Sequence, residues 1–200
     1  MPTDKSVQLE ILNLLHRVKW LGTASGPIKP ASLEDIREFE MESGNKLPAE
    51  LAEWVSVCNG AAVNPGGLYS LKDILSHYKS VNPSWLAKGW IPIASDGCGD
   101  YYVLNTSVAI PTSGTHPVYF VDQCDYEKPA YVVASGLWHF LKFLLDHEIL
   151  DQALSPEVSM NATAQNPETY WPFNKAYVLQ RDSELANYQG DAPLPWELGT

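Results

Sequence analysis

The sequence predicts an α+β protein in which helices come first and a mainly antiparallel sheet follows. Apolar residues recur at helical spacing in the first 60 residues, whereas short apolar segments separated by turn residues follow at hairpin spacing. Of the 200 residues, 45% are hydrophobic, which suffices for one packed core. Helices followed by a block of strands are typical of the α+β class.

Three helices are predicted in the N-terminal third. The apolar face of the first is formed by Val7, Ile11, Leu14, Leu15 and Val18. The segment from Gly22 to Pro30 breaks this helix. Ser32, with Asp35 three residues later, predicts the capping box of a second helix that ends at Gly44. The third helix is predicted to start at Pro48 and to stop at Asn59-Gly60.

The pattern changes to strands after Gly66-Gly67. A short strand is predicted at 68–71, and a helical turn at 73–78. The four main strands are predicted at residues 90–94, 101–104, 116–121 and 130–133. Pro92 indicates an edge position or a bulge in the first of these, because proline cannot donate a ladder hydrogen bond. The Gly/Asp loop 96–100 indicates a hairpin.

The C-terminal part is predicted to be helical again. Ser135 is expected to cap a long apolar helix that covers 137–145 and a little beyond. Residues 151–170 are rich in Ser, Asn, Thr, Ala and Pro, which predicts a loop. Residues 171–174 are expected to cap a last helix at 175–187.

The net charge of −11 is spread unevenly along the chain. Residues 146–200 hold nine of the 24 acidic residues but two of the 13 basic ones, and residues 89–145 hold five acidic and two basic residues. Such a field repels nucleic acid and anionic membranes and attracts basic partners. Solubility alone would also explain the charge, so this alternative stays open.

The cysteines and the termini indicate a cytoplasmic protein. Cys58, Cys98 and Cys124 are odd in number and widely spaced, which argues against a disulfide framework and for a reducing compartment. The N-terminus lacks a signal-peptide pattern, and no apolar run reaches membrane-spanning length. We therefore expect a cytoplasmic location and no membrane contact.

Motifs for catalysis and cofactors are weak throughout. The sequence has no glycine-rich phosphate loop, so no cofactor is predicted. Cys98, His116, Asp122 and Cys124 lack the tight spacing of metal ligands, so no metal site is predicted. Acidic neighbours disfavour a reactive thiolate at Cys124. Two of the 24 carboxylates can meet in any fold, so a carboxylate-dependent hydrolase stays an alternative.

The order of the segments is informative in its own right. A helix with Phe39-Glu40 near its end is followed by Gly44, Leu47-Pro48 and a helix ending in Asn59-Gly60. The second half continues with Trp90–Ala94, Asp96-Gly97, Gly99-Asp100, Tyr102, Pro117–Tyr119 and Phe140-Leu141. Over about residues 32–145, this order resembles the SUKH superfamily, whose domains include a regulator of cell-wall synthesis and bacterial toxin-immunity proteins.

The resemblance implies a twisted, mostly antiparallel sheet flanked by helices, and a binding role without catalysis. Bacterial members commonly neutralise the toxin domain of a polymorphic toxin system, often a nuclease. Fungal members include a regulator of cell-wall synthesis with long disordered extensions. This sequence lacks such extensions, which favours the immunity branch. We expect residues 1–150 to form a SUKH-like domain with its N-terminal helix, and residues 151–200 to form a C-terminal extension that packs on the same domain.

The resulting prediction is an immunity protein that binds a basic toxin domain and is not an enzyme. Nucleases present cationic surfaces to phosphates, so an acidic patch with aromatic anchors would match them. The candidate partner-binding residues are Asp96, Asp100, Tyr101, Asp122, Asp125, Tyr126 and Glu127. For any one of the acids, a solvated surface is the alternative. For the protein, an intracellular regulatory or scaffold module is the alternative, and a hydrolase is a further one.

Overall fold

The computed structural model describes most of the chain. The described residues are 4–17, 22–23, 26–27, 29–61, 66–153 and 171–198, with side chains for 5–13, 29–61, 66–146 and 171–198. Val18 of the predicted first helix and residues 154–170 of the predicted loop lie outside them. Residues 151–153 of that loop continue a helix, so this part of the loop prediction is wrong.

The described residues form seven α-helices and a main sheet of four strands. The helices are α1 (Asp4–Arg17), α2 (Leu33–Ser43), α3 (Ala49–Val55), α4 (Leu71–Ser76), α5 (Ser84–Lys88), α6 (Leu137–Ala153) and α7 (Lys175–Arg181). The strands are β1 (Gly22–Thr23), β2 (Gly26–Pro27), β3 (Trp90–Ser95), β4 (Tyr101–Asn105), β5 (Val118–Val121) and β6 (Tyr131–Ala134). A π-helical turn (His77–Val81) and two 3-10 turns (Ser183–Asn187 and Pro195–Glu197) complete the fold.

The main sheet has the order β3-β4-β5-β6, and all its pairs are antiparallel. This confirms the predicted α+β class with an antiparallel sheet flanked by helices. Strand β3 lies at the edge and its register shifts between Pro92 and Ala94, as the proline predicted. Separately, β1 and β2 form a two-stranded hairpin.

Helix α2 has the ends that the sequence predicts. The Asp35 N–H donates to Ser32 Oγ (3.1 Å), and the Ser32 N–H donates to Asp35 Oδ2 (2.7 Å), which makes a capping box. Gly44 ends the helix with φ of 71°. Helix α3, in contrast, ends at Val55, before the predicted stop. Asn59 Oδ1 instead accepts the N–H of Leu71 at the start of α4 (2.9 Å).

Between residues 66 and 90, one prediction is wrong and one helix was not predicted. The expected strand at 68–71 is a single bridge residue, Leu68, followed directly by α4. Ser70 and Asp73 form a second capping box at the start of α4, and this local bonding outweighs the β-type pattern of the segment. Helix α5, which buries Trp85 completely, is absent from the prediction.

The sheet is packed on both faces because neighbouring residues of a strand point to opposite sides. The Tyr102 ring contacts Phe140 of α6 (5.0 Å) and Trp171 (6.0 Å). The preceding Tyr101 ring contacts Trp85 of α5 on the other face (5.4 Å). Both sheet edges also meet other segments, since the Tyr69 N–H donates to a β3 carbonyl and a β6 N–H donates to Pro193.

The C-terminal residues pack into the same core through Val178, Leu185 and Ala192. The predicted helix at 175–187 is interrupted, because α7 ends at Arg181 and a 3-10 turn follows. Asp182, at the break, is buried and accepts hydrogen bonds from the N–H (2.7 Å) and the hydroxyl (2.6 Å) of Ser135. The division of the chain into a domain of residues 1–150 and an extension of residues 151–200 stays a prediction.

Candidate protein-binding surface

Two hairpin loops meet at one end of the main sheet. In the order β3-β4-β5-β6, the β3–β4 loop and the β5–β6 loop necessarily lie at the same end. The Gln123 N–H donates to Asp100 Oδ1 (2.8 Å), and the Tyr126 hydroxyl donates to the carbonyl of Gly99 (3.0 Å). All seven predicted partner-binding residues lie on these two loops or directly beside them, so the fold brings them together.

Backbone amides hold the loop carboxylates in fixed orientations. Asp96 Oδ1 accepts from the N–H groups of Cys98 (2.8 Å) and Asp100 (3.0 Å). Asp122 Oδ1 accepts from the Cys124 N–H (2.7 Å), which lowers the pKa of Asp122. Asp side chains commonly bond to the backbone two residues further on, so the sequence itself favours these turns.

Three of the carboxylates have no Lys or Arg ion-pair partner in the described part of the chain, and we call Asp96, Asp100 and Asp122 the acidic face. Burial raises the pKa of Asp100, and the neighbouring charges of Asp96 and Asp122 raise it further. Within the described ranges, no Lys or Arg forms an ion pair with any of these three carboxylates. Ion pairs of the described residues therefore leave the negative charge of the acidic face unneutralised.

The other two predicted acids have cationic neighbours. Lys88 forms an ion pair with Glu127, and Ser84 Oγ donates to the same carboxylate (3.1 Å). The hydrogen bond from Lys88 lowers the pKa of Glu127. Asp125 lies 3.6 Å from the ammonium of Lys128. Because these charges are balanced locally, Asp125 and Glu127 contribute less to the field than the acidic face does.

The two predicted tyrosines rest on a buried tryptophan. The Tyr101 and Tyr126 ring centroids are 5.6 Å apart, and each ring meets the edge or face of Trp85 (5.4 and 6.2 Å). The Trp85 indole N–H donates to the carbonyl of Tyr126 (2.9 Å). Both tyrosines are half-buried, so each keeps part of its surface accessible to solvent while its ring contacts the buried Trp85.

Sequence reasoning missed two further aromatic residues at this end of the sheet. The rings of Tyr69 and His77 stack at 4.7 Å, and the His77 ring lies 5.1 Å from that of Tyr101. Both residues precede the main sheet, in a segment predicted as a strand and a helical turn. No short-range pattern in the sequence indicates that they reach Tyr101, because that contact depends on the tertiary packing.

A serine, a histidine and an aspartate also meet, but inside the core. Ser135 and Asp182 are 0% exposed and His139 is 5% exposed. The Ser135 hydroxyl donates to Asp182, and His139 Nδ1 lies 3.5 Å from Ser135 Oγ and 4.0 Å from Asp182 Oδ1. A nucleophile needs a base that accepts its proton and a substrate that reaches it. Here the hydroxyl donates to the carboxylate of Asp182, and all three side chains are buried. The arrangement is therefore a structural hydrogen-bond network in the core.

Metal binding and thiol chemistry are not favoured in the part of the chain that the structure describes. Among the described residues, no group of three or more His, Cys, Asp or Glu side chains is arranged to hold a metal ion. The Asp122 carboxylate raises the pKa of the exposed Cys124 thiol, which disfavours the reactive thiolate. Of the helices described, none combines the length and the apolar character needed to cross a bilayer.

Comparison with known proteins identifies the family. The model of the SMI1 / KNR4 family (SUKH-1) matches residues 30–142, a span that starts just before α2 and ends within α6. The span contains the complete main sheet and both loops of the acidic face. Curated proteins gave no match to the chain. Because the matched span covers more than half of the 200 residues, the chain belongs to the SMI1 / KNR4 (SUKH-1) family.

Proposed function

We propose that this protein binds a basic protein partner through the acidic face and the adjoining rings of Tyr101 and Tyr126. We further propose that the partner is the toxin domain, a nuclease, of a bacterial polymorphic toxin system, and that the protein neutralises it in the cytoplasm as an immunity protein. The observation that carries the proposal is a set of three carboxylates on two joined loops, none of which forms an ion pair with a Lys or Arg among the residues that the structure describes.

Preorganisation makes such a surface effective. Backbone N–H groups already hold the side chains of Asp96, Asp100 and Asp122. Binding a cation therefore costs little side-chain conformational entropy at these residues. A nuclease must expose Lys and Arg where phosphates bind, and an acidic surface accelerates its encounter with that region. Occupation of the same region would then keep nucleic acid out of the nuclease site.

The sheet edges offer less for a partner than the loops do. Recognition by strand addition needs a free edge with unpaired N–H and C=O groups. On β3, the Tyr69 N–H donates to the Ile93 carbonyl (2.9 Å), and the Ser95 N–H donates to the Gly67 carbonyl (3.2 Å). On β6, the Val132 N–H donates to the Pro193 carbonyl (3.0 Å). Because these backbone groups at both edges are already bonded, the edges are less suited to strand addition, and this favours binding through the loop side chains.

The test is binding to, and inhibition of, the product of the neighbouring gene. The triple variant D96N/D100N/D122N removes the three charges, and each Asn keeps a side-chain oxygen that accepts the same backbone N–H. The loops should therefore keep their conformation while affinity at low salt falls by about tenfold or more, with a shallower salt dependence. Isothermal titration calorimetry across a salt series measures both quantities.

A matched control is available on the same surface. Glu127→Gln also removes one negative charge, but that charge is already paired with Lys88, so affinity should change by less than about twofold. Salt-independent binding, or equal affinity of the triple variant and the wild type, would exclude the acidic-face mechanism. Binding without inhibition of the partner would replace the immunity role by that of an intracellular regulatory or scaffold module.

A further inference from the structure

Four aromatic side chains from four separate segments meet beside the acidic face. We call them the aromatic cluster: Tyr69, His77, Tyr101 and Tyr126. Tyr69 precedes α4, His77 opens the π-helical turn, Tyr101 begins β4 and Tyr126 belongs to the β5–β6 loop. The Tyr69 ring lies 6.4 Å from that of Tyr101, in addition to the contacts given above. Each of the four is half-buried, so the cluster forms part of the surface.

The cluster is supported from the core, and its construction costs the fold some stability. Trp85 supports two of its rings from the core. His77 Nδ1 is buried and has no hydrogen-bond partner among the described residues, which is unfavourable for folding. His77 also begins a π-helical turn, a distortion that is frequent at functional sites. These features are explained more readily by a binding role than by packing alone.

The charges around the cluster select a cation. Asp96 directly follows Ser95, which pairs with Tyr101 across the β3–β4 hairpin, so the acidic face begins beside the cluster. After the larger effect of burial, the Asp96 charge also contributes to raising the pKa of the Tyr69 and Tyr101 hydroxyls. Burial lowers the pKa of His77, so its ring is neutral at neutral pH and does not repel a cation. In the described part of the chain, no Lys or Arg lies over any of the four rings.

Aromatic faces attract cations, and of the two basic side chains arginine fits this surface better. Its planar guanidinium can stack on a tyrosine ring and at the same time donate several N–H groups to carboxylates. The lysine ammonium is a compact, strongly hydrated charge without a plane. Tyrosine and arginine are also among the residues that dominate binding energy at interfaces.

We infer that the aromatic cluster is the docking position for one arginine side chain of the protein partner. In this complex the guanidinium stacks on the Tyr101 ring and donates to carboxylates of the acidic face. The inference rests on the proposed function and adds the specific contact, because a general acidic field would accept lysine and arginine alike.

Two short peptides test the inference with the full chain. Acetyl-Gly-Arg-Gly-amide and acetyl-Gly-Lys-Gly-amide carry the same charge, and each is titrated into ¹⁵N-labelled protein. The indole N–H signal of Trp85 reports on the cluster, because this group bonds to the Tyr126 carbonyl. We expect saturable shifts with the arginine peptide, and about fivefold weaker binding of the lysine peptide.

Variants of one ring separate stacking from charge. Tyr101→Phe keeps the ring and should bind the arginine peptide as the wild type does, whereas Tyr101→Leu should lose about fivefold in affinity. Tyr69→Leu serves as a second variant should Tyr101→Leu fold poorly, and Tyr131→Leu removes a half-buried tyrosine ring outside the cluster as the matched control. Equal binding of the two peptides, or unchanged binding in both Leu variants of the cluster, would overturn the inference.

The cognate partner then distinguishes this inference from the proposed function. If the triple variant D96N/D100N/D122N loses partner binding but Tyr101→Leu does not, the acidic-face mechanism stands and the arginine contact is wrong. If the peptides behave as expected but the partner binds independently of salt, the surface recognises arginine in another context and the acidic-face mechanism fails.

Discussion

Replacing Asp182 by alanine tests how the C-terminal residues are held to the sheet. The carboxylate is 0% exposed and accepts two hydrogen bonds from Ser135, at 2.7 and 2.6 Å. The substitution leaves the Ser135 N–H and hydroxyl without these acceptors, and each buried unpaired donor costs about 1–3 kcal/mol. Burial raises the pKa of Asp182, so removal of the carboxylate also relieves some desolvation. We expect a net loss of about 3 kcal/mol in the free energy of unfolding.

Urea denaturation followed by tryptophan fluorescence and by far-UV circular dichroism measures this loss. Asp191→Ala is the matched control, because this carboxylate belongs to the same segment but is exposed, and its replacement should change stability by less than about 0.5 kcal/mol. Adding Ser135→Ala to Asp182→Ala removes one of the unpaired donors, so the double variant should recover part of the lost stability. A single variant as stable as the wild type, or a double variant without recovery, would refute the reasoning.

Three further predictions concern stability. Burial raises the pKa of Asp182 in the folded state above its value in the unfolded state. The stabilisation by this group is therefore complete below the unfolded-state pKa and is lost as the pH rises through the folded-state pKa. Urea titrations at several pH values should show the stability of the wild type, relative to Asp182→Asn, falling over that range. Ser32→Ala removes the α2 capping box and should cost about 1 kcal/mol, seen as a lower melting temperature by calorimetry, and an unchanged value would contradict the cap. Gly60→Ala should lower the melting temperature more than Gly44→Ala does. Both glycines have positive φ (90° and 71°), but a Cβ added at Gly60 lies 3.0 Å from the Ser70 backbone N, whereas one added at Gly44 has no atom within 4 Å. Equal losses would argue against the close contact at Gly60.

The local features of the fold were predictable because they depend on residues close together in the sequence. The Ser32 to Asp35 capping box and the Gly44 stop involve contacts over a few residues, and Pro92 acts through its own missing N–H. The order of such segments also indicated the family, which the match over residues 30–142 confirms. The capping box at Ser70 was equally readable in the sequence, but the β-type residues around it pointed to a strand.

Which side chains work together was decided by the tertiary structure alone. Asp96, Asp100 and Asp122 look the same in the sequence as Glu127, yet only Glu127 lies within reach of Lys88, 39 positions away. Tyr69 and His77 join Tyr101 in the same way, through packing against the sheet. Sequence by itself determined the capped helix α2, the hairpins of the main sheet and the excess of negative charge, since these follow from neighbouring residues. The balance of that charge and the shape of the surface depend on contacts between distant segments, which exist only once the sheet has formed.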